Sequence, residues 1–250
     1  MKTLIYFTAI IVLFSSCSST SILMNKEKSK YNKVEDLDPV FKYNPNYQYT
    51  IRKDDKINIS VWAQDELSVG SVYGIYNSNE VYGKWLLVDA NGNIEVPKIG
   101  SLNIKGKTII EVKEILIAYY AEWLVTPVVD VKVLNKEVSI IGEVIESTTV
   151  LLEKDNNTLI EVLTKSKGFD FYANLKKVQI IRQIGNSTHT AYIDLKSSDN
   201  YLSKNIQIIA GDVVVVPTKK YKNFDKRISL IIPFTGVITT LAILYGTLKK

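Results

Sequence analysis

The sequence predicts an α+β chain: two small β-rich domains, each with one short helix, followed by a long apolar C-terminal helix. Three observations carry this expectation. Short stretches alternate apolar and polar residues with the period of a half-buried strand. Two Thr-x-x-Glu patterns, Thr108 with Glu111 and Thr158 with Glu161, mark helix starts. From 228 to 248 the chain runs ISLIIPFTGVITTLAILYGTL without a charge. Short strands with one small helix per unit make an α+β architecture. The divisions fall at 1–16 (leader), 17–46 (lead-in), 47–134 (first domain), 135–218 (second domain) and 219–250 (linker and tail).

The chain opens with Met1 and Lys2, an apolar run from Leu4 to Phe14, and then Ser15-Ser16-Cys17-Ser18-Ser19. A basic start, a short apolar stretch and small residues before the cut are the parts of a secretory signal. The run is too short for a permanent membrane helix. Ending on Cys17, the only cysteine, it resembles a bacterial lipoprotein signal, in which that thiol is acylated and becomes the mature N-terminus. The alternative is an ordinary secreted protein with a stray thiol near the cut. Lysines at 26, 28, 30 and 33 then mark a polar tether.

Next, Ile57, Ile59 and Val61 alternate with polar residues and predict a strand. Residues 86–97 read as a hairpin around Asn91-Gly92, whose positive φ suits a tight turn. Behind the Thr108 cap, Ile109, Val112, Leu116, Tyr119 and Trp123 recur at helical spacing and predict a helix over 109–124. Residues 128–133 alternate as a strand. In the second domain, 138–144 and 175–182 read as strands, Thr158 caps a second helix, and 213–217 is a short, fully apolar strand. Gly92, Gly106, Gly142, Gly168 and Gly211 are expected to hold turns.

The tail, at about 1.5 Å per residue, spans about 30 Å as a helix, the thickness of a bilayer's hydrocarbon core. Lys226 and Arg227 precede it and Lys249 and Lys250 follow, as anchors would. On a helical projection Ser229, Thr235, Gly236, Thr239, Thr240, Gly246 and Thr247 fall within an arc of roughly 140°. Ile228, Leu230, Phe234, Val237, Leu241 and Leu244 supply the greasy side, although Ile232 and Ile243 interrupt the polar arc. A hydroxyl and glycine face suits a membrane helix bundle or the wall of a pore built from many copies. A lone stop-transfer helix is the alternative.

Composition narrows the function. Lysines and arginines give a formal charge of +5 but are scattered among 26 acids, with no basic run beside stacking aromatics, so nucleic acid is not expected. Asp89, Asn91 and Asn93 lack the downstream ligands and glycine register of a calcium loop. Gly100 to Thr108 imitates a phosphate-binding loop, yet five residues separate Gly100 from Gly106 where that loop needs four. His189, the only histidine, lies in a Ser-Thr-His-Thr stretch and is expected in a solvated loop. No catalytic residue, cofactor or metal set is readable.

The motifs line up with a known family. Tyr49, Ile51, Asp55, Ile57, Ile59, Val61 and Trp62, then Val88-Asp89, Gly92, Ile94, Pro97, Ile99-Gly100, then Gly106, Thr108, Glu111, then Pro127, Val129, Val131 resemble the export domain of Wza-type outer-membrane polysaccharide export lipoproteins. Ile141 to Val144, Thr158-Leu159, Glu161 to Leu163, Gly168, Ala210 to Val213 and Val216-Pro217 resemble a β-grasp-like SLBB domain. Together they cover about residues 47–217. Three positions depart from the pattern: Asp54 replaces a glycine, Ser147-Thr148 stands for Pro-Gly, and Ser166-Lys167-Gly168 for Ala-Gly-Gly.

The resemblance implies a homo-oligomeric ring whose C-terminal helices cross the outer membrane as a channel for capsular or extracellular polysaccharide. It also implies lipid at Cys17, domains in the periplasm, no enzymatic activity, and an inner-membrane co-polymerase or tyrosine kinase as partner. Ser18 after Cys17 is not the Asp that commonly retains lipoproteins at the inner membrane. The alternative function is a periplasmic scaffold, anchored by its tail, that holds a saccharide or a partner. Three Trp and fifteen Tyr offer ring-stacking surface for it, although strand and helix positions assign most of them to the core or to subunit contacts. A polysaccharide-trimming enzyme ranks last, since no carboxylate pair stands in an acid/base setting.

Overall fold

A computed structural model describes residues 37–64, 67–68, 85–196, 206–225, 227–228, 240 and 244–248. The first domain contains β1 (Lys56–Val61), β2 (Leu86–Leu87), β3 (Asn93–Val96), β4 (Gly100–Asn103), α1 (Ile109–Tyr120) and β5 (Val129–Val133). β1 lies between β2 and β5 in an antiparallel sheet, and β3 and β4 form a separate two-stranded ribbon. Ile57, Ile59 and Val61 point inward along β1 and pair with Val133, Val131 and Val129 of β5, whose side chains are also buried. The alternation in the sequence is therefore the alternation of burial.

The expected hairpin over 86–97 is not formed as such. Gly92 does turn the chain, at φ +90°, and the Asp89 carboxylate accepts from the Asn91 and Asn93 amides at 2.8 Å each. Yet β2 pairs with β1, while β3 pairs onward with β4 across Pro97–Ile99. Only Gly92 of the Asn-Gly pair has positive φ, so the mirror-image turn that joins two-residue hairpins is absent. Because Gly100–Asn103 is strand β4, the phosphate-loop imitation is a ribbon edge.

Helix α1 starts where the capping box places it. The Thr108 side chain accepts from the Glu111 amide, and Glu111 accepts from the Thr108 amide at 2.7 Å. It ends at Tyr120, and its buried stripe is Val112, Leu116 and Tyr120. Tyr119 and Trp123, expected inside, are exposed. A strict four-residue spacing selects Tyr120, and one residue of rotation turns Tyr119 toward solvent.

The second domain contains β6 (Glu137–Gly142), β7 (Thr148–Leu151), β8 (Asn157–Thr158), α2 (Leu159–Thr164), β9 (Val178–Ile184), β10 (Ser187–Ile193), β11 (Gln207–Ile208) and β12 (Val213–Val216). Its five-stranded sheet has the order β10-β9-β12-β6-β7, and β8 pairs with β11 beside it. The apolar β12 is central, parallel to β6 and antiparallel to β9. Leu175–Lys177, expected as the start of a strand, is a 3-10 turn before β9. His189 is corrected too: it sits half-buried on edge strand β10, where a polar run read as a loop.

Gly142 ends β6 at φ +103°, and a Cβ there would stand 2.2 Å from the Val216 carbonyl oxygen. That contact is backbone of the neighbouring central strand and has no room to yield. Gly142→Ala should therefore lower unfolding free energy by at least about 2 kcal/mol, read as a shift of the urea midpoint.

One apolar core runs through both domains, from Phe41 and Ile51 to Val214 and Val216. Among the described residues no helix is long and apolar enough to cross a membrane. Most of the expected 228–248 helix lies outside the described residues.

Candidate functional site

A dense polar arrangement lies where residues 37–47 cross the second domain, and it is built on Arg182 of β9. Its guanidinium is buried and donates from Nε and Nη2 to the two carboxylate oxygens of Asp212, at 2.9 and 2.7 Å. Nη2 also donates to the Gln207 carbonyl at 2.9 Å, and Nη1 to the Val40 carbonyl at 2.6 Å. Asp212 in turn accepts from the Ile209 amide at 2.9 Å, closing the turn ahead of β12. The guanidinium plane lies 4.9 Å from the Phe41 ring centroid. A fully desolvated charge is stable only with such a complete set of partners.

What Arg182 holds is a strap. Residues 37–47, assigned on sequence grounds mainly to a lead-in, pack across the second domain. Asp38 caps a 3-10 turn at Pro39–Phe41 through the Val40 amide, and Phe41 is buried. Asp38 also meets His189 Nδ1 at 2.7 Å, which holds its carboxyl below the usual range. Further along, the Asn44 amide donates to Gln207 Oε1 at 3.0 Å, and Gln207 Nε2 donates to Asn156 Oδ1 at 2.7 Å. The Asp-Pro pair at 38–39 is the sequence signal that would have located this turn.

The first domain contributes a second buried carboxylate. Tyr49 donates its hydroxyl to both Asp55 oxygens, at 3.0 and 2.9 Å, and the Arg52 amide donates to Asp55 at 2.7 Å. Burial is the largest influence on each group, raising the Asp55 carboxyl and the Tyr49 hydroxyl. The Asn135 side chain links Lys56 and Asp54, and buried Lys136 pairs with Asp155 at 2.9 Å. Asp55 and Asp212 are thus engaged in holding backbone turns. Among the described residues no cluster of three His, Cys, Asp or Glu could hold a metal.

Between the domains runs an open groove of about 630 Å³, with Ile109, Asp130 and Lys132 on one side and Leu151 and Glu153 on the other. The three tryptophans do not line it. Trp62, Trp85 and Trp123 are exposed on the first domain, whereas Tyr49 and Tyr120 belong to the core.

The residues singled out from the sequence divide sharply. Both capping boxes form, the second through Thr158 and Glu161. Gly92, Gly106, Gly142, Gly168 and Gly211 all adopt positive φ. Cys17 lies outside the described residues, as do Leu230, Phe234, Val237 and Leu241 of the greasy face and Ser229, Thr235, Gly236 and Thr239 of the polar face. Ile228, Thr240, Leu244 and Thr247 are described as helical and exposed. Arg182, Asp38 and Phe41 were missed, since their partners are remote in sequence.

A family model described as polysaccharide biosynthesis/export protein matches residues 43–134. An SLBB domain model matches residues 136–216. This chain belongs to the Wza-type polysaccharide export protein family. The Tyr49–Asp55 lock lies in the export domain, and the Arg182–Asp212 pair in the SLBB domain. Both matched families are export or binding proteins rather than enzymes.

The family frame also explains two departures from its pattern. Asp54 and Lys167 stand where glycine is usual, and their φ values are +68° and +62°, the left-handed region glycine favours. Lys167 reaches Glu146 at 2.6 Å, but both side chains are exposed and such pairs contribute little. Lys167→Gly should therefore raise stability by about 0.5–1 kcal/mol in urea unfolding. Glu146→Gln, which removes only the ion pair, should stay within about 0.5 kcal/mol of the parent.

Proposed function

We propose that this polysaccharide export protein is the outer-membrane component of a capsule or exopolysaccharide exporter. It is lipid-anchored at Cys17, with its two domains in the periplasm, and assembles as a homo-oligomeric ring. The segment 228–248 crosses the bilayer, its greasy side toward lipid and its hydroxyl side toward sister copies and a watery channel. Insertion is favoured by roughly 25 cal/mol per Å² of apolar surface removed from water. The inner-membrane partner is a co-polymerase or tyrosine kinase that delivers the polymer.

The observation that carries this reading is the order along the chain: export domain, SLBB domain, then an uncharged 21-residue stretch bounded by cations. The strap supports it as well. It ties residues 37–47, which follow the proposed anchor, to the SLBB domain, which precedes the proposed membrane segment. The test is the mass of the detergent-solubilised protein together with low-resolution images of the particles. Rings are expected, and a monodisperse monomer rejects the channel.

The interdomain groove favours one other reading, a scaffold lipoprotein whose groove holds a saccharide. Its charged walls suit a hydrated sugar chain, yet no aromatic residue lines it for stacking. The same mass measurement separates the two.

A further inference from the structure

Where the SLBB domain hands over to the tail, the surface carries aromatic rings interleaved with lysines. Phe171 and Tyr172 meet edge to face with centroids 5.1 Å apart, and Tyr172 meets Tyr221 at 6.2 Å. Lys219 lies over both the Phe171 and Tyr221 rings, at 5.3 and 5.8 Å. Phe171, Tyr221 and Phe224 remain exposed, Phe224 by 63%. Exposed rings gathered in this way mark a surface made to be covered.

The cluster is also rigidly joined to the start of the tail. The Lys219 amide donates to the Tyr172 carbonyl at 2.8 Å. Lys222 reaches Glu143 Oε2 at 2.6 Å, and Thr218 donates to Glu143 at 2.7 Å. Residues 222–225 and 227–228 are helical.

We infer that this aromatic–lysine cluster rests on the phospholipid surface and seats the SLBB domain against the bilayer. The inference rests on the reading that 228–248 crosses a membrane. Distance selects lipid over other occupants. Phe224 lies about 6 Å along a helix from Ile228, the first residue of the uncharged stretch. The headgroup layer is about 5–7 Å thick on each side of the hydrocarbon core. A helix that enters the core at Ile228 therefore places Phe224 among the headgroups. Rings that are apolar in body and wet at the edge favour that layer, and Lys219 and Lys220 meet its phosphates. Because Lys222 bonds the helical 222–225 segment to Glu143, seating the cluster also holds the residues that lead into the tail at the headgroup layer.

Spin labels in the full-length chain test this. The protein is reconstituted in phosphatidylethanolamine–phosphatidylglycerol vesicles with a nitroxide at Phe224→Cys or Phe171→Cys. Leu241→Cys reports the tail, Thr188→Cys on β10 reports the aqueous baseline, and the parent chain supplies the background from Cys17. The expected result is an oxygen-over-nickel collision ratio several-fold higher at 224 and 171 than at 188, with 241 higher still. Lipid contact at 241 with an aqueous 224 and 171 overturns the inference and leaves the membrane tail standing. Lipid contact at 224 and 171 with an aqueous 241 supports the seated surface and removes the tail reading. An aqueous environment at all three positions removes both. Labels at 224 and 171 that are shielded from both collision partners, and spin-coupled between copies, overturn it in favour of a contact between subunits.

Discussion

Asp212→Ala should destabilise the protein by about 3–5 kcal/mol, the usual cost of leaving one member of a buried pair without its partner. The Arg182 guanidinium would keep only the carbonyls of Gln207 and Val40, with no counter-charge in a desolvated site. The turn before β12 would also lose the carboxylate that accepts from the Ile209 amide. Urea unfolding measures the loss, and limited proteolysis of residues 37–47 shows whether the strap lifts first. The double variant Arg182→Met with Asp212→Leu should recover part of it, because an apolar pair carries no desolvation penalty. A loss below about 1 kcal/mol would place the pair in the class of solvated surface bridges and contradict its burial.

Deletion of 228–250 should leave a folded, lipidated protein and abolish surface polysaccharide. The buried apolar core, both capping boxes and the Arg182–Asp212 pair all lie before this stretch. Unfolding of the SLBB domain should therefore be nearly unchanged, while assembly into rings and polymer at the cell surface are lost together. Staining for surface polysaccharide in a strain carrying only the truncated chain gives the answer. Normal polymer at the surface in that strain would reject the conduit.

Features legible from sequence are those whose partners stand a few residues apart. Thr108 reaches Glu111 and Thr158 reaches Glu161 three positions on, so the pattern and the bond coincide. β1 and β5 were readable because burial alternates within each strand, whichever strand lies beside it. Gly92 turns the chain by its own φ. Choosing the partner of a strand is different, since β2 has two candidate neighbours and a local turn cannot arbitrate between them. β2 pairs with β1, whose other edge pairs with β5, while β3 pairs with β4 and buries Ile94 and Val96 in the same core, so alternation within a strand does not say which neighbour it takes.

The same division separates what residue order alone determined from what tertiary structure decided. The order of domains, both helix starts, the buried face of β1 and the charge-free tail follow from composition and spacing, which need only neighbours along the chain. The strap, the buried arginine and the histidine do not. Arg182 finds Asp212 30 positions away and Val40 142 away, and His189 finds Asp38 151 away. An arginine in an alternating strand reads as solvated, since its burial is tolerable only once distant groups complete its hydrogen bonds. Chain folding brings those groups together, and only then is the charge stable where it lies.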